Sequence, residues 1–192
     1  MILGITGGLG CGKTTAAKLF EARGFQRLDS DAIVRDQVLT DPEVISELSS
    51  HFGPSVFDAQ GGVDRPALAG RIFTDDAERI WLEGLTHPRV FAIWRGALRA
   101  DPGSNWAVEV PLLFEKSLEN WFDFIVCVAC PHQKQLARLE QRGLNRTFAE
   151  QRISKQLPLA NKVEQSDFVL WNEGSAEFLG EQVDRLVASL AR

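Results

Sequence analysis

The chain has 192 residues, 21 Lys and Arg against 26 Asp and Glu, and a formal net charge of -5. That length suits one domain enlarged by an insertion, and 44% apolar with 24% charged residues excludes a disordered chain. The acidic balance excludes broad binding to nucleic acid or anionic membrane, which needs surplus Lys and Arg, but leaves room for a local cationic pocket.

The apolar start Met1-Ile2-Leu3 meets Gly4 at once, and no stretch approaches the ~18 apolar residues of a membrane span, so a cytoplasmic protein is expected. Short apolar runs then alternate with helical patterns, the signature of parallel strands joined by crossover helices. The candidate strands are Ile2 to Thr6, Gln26 to Leu28, Trp106 to Val110, Phe124 to Ala129 and Asp167 to Trp171. Five strands predict an open α/β sheet. The stretch between the second and third is far longer than one crossover helix needs. Within it Val44 to Phe52 and Arg65 to Arg99 read as several amphipathic helices, so residues 32–105 are expected to be a helical insertion on a core of residues 1–31 and 106–192. Residues 143–162 are polar and basic, with little apolar content, and predict a mobile lid. Leu179, Val183, Leu186, Val187 and Leu190 form the stripe of a closing helix that docks on the sheet.

Cys11, Cys127 and Cys130 make an odd count without scaffold spacing, which fits a reducing compartment. Cys127 and Cys130 form a C-x-x-C at the end of an apolar run, where buried cysteines serve as small hydrophobes rather than as zinc or redox ligands.

The strongest motif is Gly7-Gly8-Leu9-Gly10-Cys11-Gly12-Lys13-Thr14, a full match to G-x-x-x-x-G-K-[ST] set between a strand and a helix. Glycines let the backbone turn its N–H groups toward a polyphosphate, and the helix N-terminus adds partial positive charge. Gly8, Gly10, Cys11, Gly12, Lys13, Thr14 and Thr15 are the candidate nucleotide contacts. Lys13 would reach the β- and γ-phosphates and the Thr14 hydroxyl would ligate Mg²⁺. ATP or GTP is the expected ligand.

A small-molecule kinase and a GTP-binding switch compete for this loop. Asp58-Ala59-Gln60-Gly61 and Asn161-Lys162-Val163-Glu164 imitate switch signatures, but Glu164 replaces the Asp that should hold guanine, and only Val56-Phe57 precede Asp58. The kinase reading gains from Asp29-Ser30-Asp31 at the end of the second strand, since the carboxyl ends of strands face the ligand crevice. A carboxylate there accepts a proton from an attacking hydroxyl or helps to hold Mg²⁺, while an Asp opening a helix is also a cap. In extended chain Asp29 and Asp31 share one face.

Gly7 to Thr14, Asp29-Ser30-Asp31, Leu82-Glu83 with His87-Pro88, Val110-Pro111-Leu112-Leu113-Phe114-Glu115, and Gln135-Leu136 with Arg138 and Arg142 together resemble the dephospho-coenzyme A kinases. Arg152, Gln156, Lys162 and Asp167 to Trp171 with Asn172-Glu173-Gly174-Ser175 extend the resemblance over nearly the whole chain. It implies a nucleoside-monophosphate-kinase-like P-loop core, a helical domain for the acceptor and a lid over ATP. It also implies phosphorylation of the ribose 3′-hydroxyl of dephospho-coenzyme A with ATP and Mg²⁺, with another small-molecule or nucleoside-monophosphate kinase as the alternative.

On that resemblance Asp31 is the expected base, and also a metal ligand with Thr14; Asp29 supports it, and Lys13 and Arg142 complete the catalytic set. Glu109 is open between a metal-side role and packing. Arg138 and Arg142, four apart on one helical face, are expected at the ATP phosphates, and Asn172 at the adenine. Asp31, His87, Leu112 and Phe114 are expected on the acceptor, with Phe114 the ligand-facing aromatic. His87, before Pro88, should be extended and precede a helix. Trp81 and Trp94 read as core. Three departures from the family pattern stand out: Ser30 between the two Asp, Gly143 after Arg142 where a carboxylate is usual, and Cys11 as an exposed thiol near the phosphates.

Overall fold

In the computed structural model, which describes residues 1–190, the chain enters as β1 (Ile2–Gly7), turns through the glycine-rich loop into α1 (Lys13–Glu21) and returns as β2 (Gln26–Asp29). Helix α2 (Ser30–Ile33) follows at once and runs into a π-helical turn, Val34–Val38; then come α3 (Pro42–Phe52), α4 (Arg65–Thr74) and α5 (Asp76–Ala100). The chain continues through β3 (Trp106–Glu109), β4 (Phe124–Ala129), α6 (His132–Gln141), α7 (Arg146–Ser154), α8 (Leu159–Glu164), β5 (Phe168–Trp171) and α9 (Ala176–Leu190). It divides into two compact units, one made of Met1–Asp29 with the chain from Gly103 onward, the other of Ser30–Pro102.

The first unit is a five-stranded sheet in the order β2-β3-β1-β4-β5, every pair parallel. Each strand lies within one residue of its sequence-predicted bounds. A parallel sheet is covered on both faces, which is why β1 and β4 are near-continuous apolar runs with a single partly buried residue at the start. Leu3, Ile5, Val126, Val128 and Leu170 from the strands pack with Ala16, Ala17 and Phe20 of α1 and with Leu179, Val183 and Leu186 of α9. The closing helix therefore docks by the predicted stripe, with Val187 and Leu190 at its margin. At the sheet edge, Gln182 of α9 accepts the Trp171 N–H at 2.8 Å and donates to the Trp171 carbonyl at 3.0 Å.

The segment 143–162, expected to be a lid, forms α7 and most of α8 and takes part in apolar packing. Its Ala149, Leu144 and Ile153 join Leu136 and Leu139 of α6, and Leu9 of the glycine-rich loop, in a small apolar cluster. Helix α8 packs on β1 and β4, and Lys162, its basic residue, is wholly buried. The polar, basic stretch thus includes an internal cation.

In the second unit Asp41, Asp64 and Asp75 cap α3, α4 and α5 through their side chains. Residues 65–99 form two helices, and α5 runs straight through Pro88, so His87 lies inside a helix instead of preceding one. Proline removes the N–H that would reach the Gly84 carbonyl; Thr86 Oγ1 donates to Leu82 and Arg89 Nη1 to Leu85, so side chains solvate the carbonyls around the break. Trp94 is buried as expected, while Trp81 stacks on His51 with ring centroids 3.8 Å apart. The imitation switch motifs dissolve here: the Asp58 carboxylate caps a turn by accepting from Gln60 and Gly62, and Asn161-Lys162 lie in α8.

Candidate active site

All five strands point their carboxyl ends to one edge of the sheet, and register fixes what meets there. Asp29 pairs with Glu109, Glu109 with Ile5, and Gly7 with Val128, so the ends of β2 and β3 flank the loop that follows central β1. Two glycines in that loop are obligatory. A Cβ on Gly7 would sit 2.1 Å from the Val128 carbonyl oxygen, and Gly12, at φ 97°, would press one 2.2 Å from Asn172 Nδ2. Gly12 caps α1 without any side-chain acceptor, and the first turn holds no acidic residue. A helix N-terminus of this kind suits an anion, through its N–H groups and its partial positive charge.

The charged groups gather in two layers. Lys13 is buried and donates to the Gly7 and Gly8 carbonyls at 3.3 and 3.1 Å, its charge resting on the loop itself. On the β3 side the Thr14 hydroxyl donates to Glu109 Oε1 at 2.7 Å. Arg27 Nη2 is shared between Asp29 Oδ2 at 2.7 Å and Glu109 Oε2 at 3.4 Å. Glu109 is 5% exposed; burial raises its pKa above the usual carboxylate value and the Asp29 charge adds to this, against the Thr14 hydrogen bond, Lys13 and Arg27. Arg27 escaped the sequence reading because a basic residue in a short strand beside Asp29 carries no motif.

On the α6 side the polar side chains engage the loop backbone. Arg138 Nη1 reaches the Gly10 and Cys11 carbonyls at 3.4 and 3.3 Å, and its Nη2 the Asn172 carbonyl at 3.0 Å. Asn172 Nδ2 donates to the Cys11 carbonyl at 2.8 Å. Both side chains, expected at the ATP phosphates and the adenine, thus hold the loop backbone. Arg142, at the exposed end of α6, has no ion-pair partner among the described residues. Thr15 is exposed in the first turn of α1. Gln156 Oε1 accepts the Leu9 N–H at 3.2 Å, which ties the 143–162 segment to the loop.

Cys11 is fully buried in the core cluster, correcting the expectation of an exposed thiol. Phe114, expected to face a ligand, is 8% exposed and turned inward, while Leu112 is half-buried in the turn before it. That turn is pinned by a pair the residue pattern alone did not signal. Lys162 Nζ lies 2.7 Å from Glu115 Oε1 and donates to the Pro111 carbonyl at 2.9 Å, and the Leu157 N–H donates to the same Glu115 oxygen. Asp31 and His87 belong to the second unit, Asp31 as the exposed second residue of α2, so Asp29 and Asp31 do not share one extended strand.

A family model of dephospho-CoA kinase matches residues 1–177. The chain belongs to the dephospho-CoA kinase family. A dephospho-CoA kinase of Thermosynechococcus vestitus is 38% identical over 192 residues, covering 99% of this chain and 95% of that one. Among solved structures, TT1252 from Thermus thermophilus superposes with a TM-score of 0.86 at 33% identity, covering 99% of this chain and 97% of its own. Dephospho-CoA kinase from Campylobacter jejuni, at 23% identity, shares the fold with a TM-score of 0.72 over 98% and 96% of the two chains.

Proposed function

We propose that this dephospho-CoA kinase family member transfers the γ-phosphoryl group of ATP to the ribose 3′-hydroxyl of dephospho-coenzyme A, giving coenzyme A and ADP. The observation that carries the reading is the uncapped, acid-free N-terminus of α1, flanked by Thr14 and Glu109 at the carboxyl edge of the sheet. Loop amides hold the phosphates, and Lys13 leaves the loop carbonyls to neutralise the β- and γ-oxygens. Gly8, Gly10, Cys11, Gly12 and Thr15 contribute backbone to this cradle.

The donor set fits Mg²⁺, because a hydroxyl and carboxylates are hard oxygen ligands. Thr14 and Asp31 would hold it with Glu109 nearby, and the ion would supply charge neutralisation between the phosphates. Asp31 takes the proton of the acceptor hydroxyl and Asp29, oriented by Arg27, supports it. Arg142 stabilises the transferring group, and Arg138 acts through the loop backbone it braces. Residues 32–105, with His87, serve the acceptor; Leu112 and Phe114 shape its entry; residues 143–162 close over the nucleotide. Three free thiols suit a reducing, cytoplasmic setting.

An ADP-release assay offering dephospho-coenzyme A, adenosine monophosphate, shikimate or no acceptor tests the assignment. Turnover with dephospho-coenzyme A alone is expected; turnover only with another acceptor, or GTP hydrolysis without one, overturns it. Asp31→Asn should lower kcat by about 10²- to 10⁴-fold with ATP affinity retained, and a near-normal kcat would reduce Asp31 to a helix-start residue.

A further inference from the structure

Phosphoryl transfer uses no thiol, yet two of them lie against each other beneath the nucleotide loop. Cys11 Sγ is 3.6 Å from Cys130 Sγ, and both residues are buried. The pairing follows from topology: the loop leaves β1, Cys130 directly follows β4, and these strands are neighbours. The C-x-x-C spacing joins Cys127 and Cys130, but the two residues between them, Val128 and Ala129, are extended strand and hold the two thiols apart.

We propose that Cys11 and Cys130 are a peroxide-sensitive thiol pair whose disulfide reversibly disables the nucleotide site. The two sulfurs are prepared for different roles. The hydrogen bond from Cys130 is the main cause bringing Cys11 from 9.0 to about 7; burial opposes it, and backbone hydrogen bonds from Cys130 and Gly8 and the Lys13 charge assist. The same contact pushes Cys130 upward. Near neutral pH Cys11 carries thiolate and Cys130 remains the thiol that resolves it, whereas burial drives Cys127 to about 12 and leaves it inert.

The chemistry balances with hydrogen peroxide as oxidant. The Cys11 thiolate attacks one peroxide oxygen, the O–O bond breaks, and the departing hydroxide takes a proton to become water. Cys130 sulfur then attacks the sulfenic sulfur; the S–S bond forms, the S–O bond breaks, and water leaves with the Cys130 proton. Two thiols lose two electrons and peroxide becomes two waters; a dithiol reductant reverses the change. Peroxide, little larger than water, reaches Cys11 by local opening of the glycine-rich loop, a route that bound nucleotide covers.

Closure disables the site because a disulfide needs sulfurs about 2.05 Å apart, so Cys11 and Cys130 must approach by roughly 1.5 Å. Cys11 sits between Gly10 and Gly12, and its carbonyl is held by Asn172 and Arg138. Its displacement distorts the phosphate cradle, and misplacement by about 1 Å costs on the order of 10²-fold.

The test exposes the full-length protein to hydrogen peroxide with and without Mg²⁺-ATP, followed by denatured thiol counting, peptide mapping by mass spectrometry and ATP-binding titration. Thiols should fall from three to one, with Cys127 remaining and a Cys11–Cys130 crosslink recovered. ATP affinity should drop by about 10²-fold and return with dithiothreitol, and bound ATP should slow the reaction at least about tenfold. Cys130→Ala should keep its untreated activity and fail to crosslink, its Cys11 passing on to irreversible acids. Overoxidation of Cys11 without a crosslink in the unmodified protein overturns the proposal, as does a crosslinked protein with unchanged ATP affinity, or a dithiothreitol-reversible loss in Cys130→Ala. These readouts are independent of which acceptor the enzyme phosphorylates.

Discussion

Replacing Lys162 with methionine isolates the pair that pins the Pro111–Glu115 turn. Lys162 is 0% exposed, its ammonium lies 2.7 Å from Glu115 and it donates to the Pro111 carbonyl. Methionine fills a similar volume but leaves Glu115 with the Leu157 N–H; its second oxygen, Oε2, is already buried without a hydrogen-bond partner. Breaking a buried pair from one side costs about 3–5 kcal/mol, a large part of the roughly 5–15 kcal/mol that holds a domain folded. For a chain of this size that is roughly 10 °C in Tm. Thermal and urea unfolding followed by circular dichroism measure it. Lys162→Met with Glu115→Leu should recover most of the loss, because an apolar pair of matched volume replaces a buried ion pair at little cost. A single-variant loss below about 1 kcal/mol, the range of exposed pairs, would refute the reasoning. So would a double variant no more stable than the single.

Gly12→Ala should lose ATP affinity through both a positive φ and an overlap with Asn172; adding Asn172→Ala relieves only the overlap, so equilibrium binding should recover in part, and full recovery would exclude backbone strain. Arg27→Leu removes the shared countercharge of Asp29 and Glu109 and should raise the Mg²⁺ half-saturation by about 10- to 100-fold; an unchanged Mg²⁺ titration would exclude a positioning role. Because the Cys11 thiol lies below its usual value in the folded state, its thiolate is present above pH 7 and is lost as pH falls through about 7. Alkylation of nucleotide-free protein should therefore rise with a midpoint near 7, in a site that Lys13, Cys127, Cys130 and Arg138 also face; a midpoint near 9 would contradict it.

The centre of the sheet was legible because β1 and β4 are buried almost throughout and so appear as near-continuous apolar runs, and the phosphate loop because its glycines, lysine and threonine form a full motif between a strand and a helix. Long-range polar packing was less legible. Nothing local distinguishes Lys162 from a solvated lysine; only burial by α8 on β1 and β4 does so. Arg138 and Asn172 were expected at the ATP phosphates and the adenine; their hydrogen bonds to the loop backbone depend on carbonyl directions that no spacing encodes. His87 was misread because the local preference of a residue before proline was overruled by a long helix in which Thr86 and Arg89 bond the Leu82 and Leu85 carbonyls on either side of the break. Cys11 was misplaced for a related reason: the loop exposes its backbone to the ligand while turning this side chain into the core.

The Gln182 contact has a consequence for assembly. In β5 alternate residues turn their backbone groups away from β4, so Trp171 and Val169 are the positions from which another chain would extend the sheet. Both have exposed apolar side chains, as does neighbouring Phe178, a combination suited to intermolecular strand pairing. One glutamine occupies the N–H and carbonyl of Trp171 together. It acts as an internal substitute for the missing sixth strand at that residue, closing half of the available docking positions and keeping an apolar edge from templating growth.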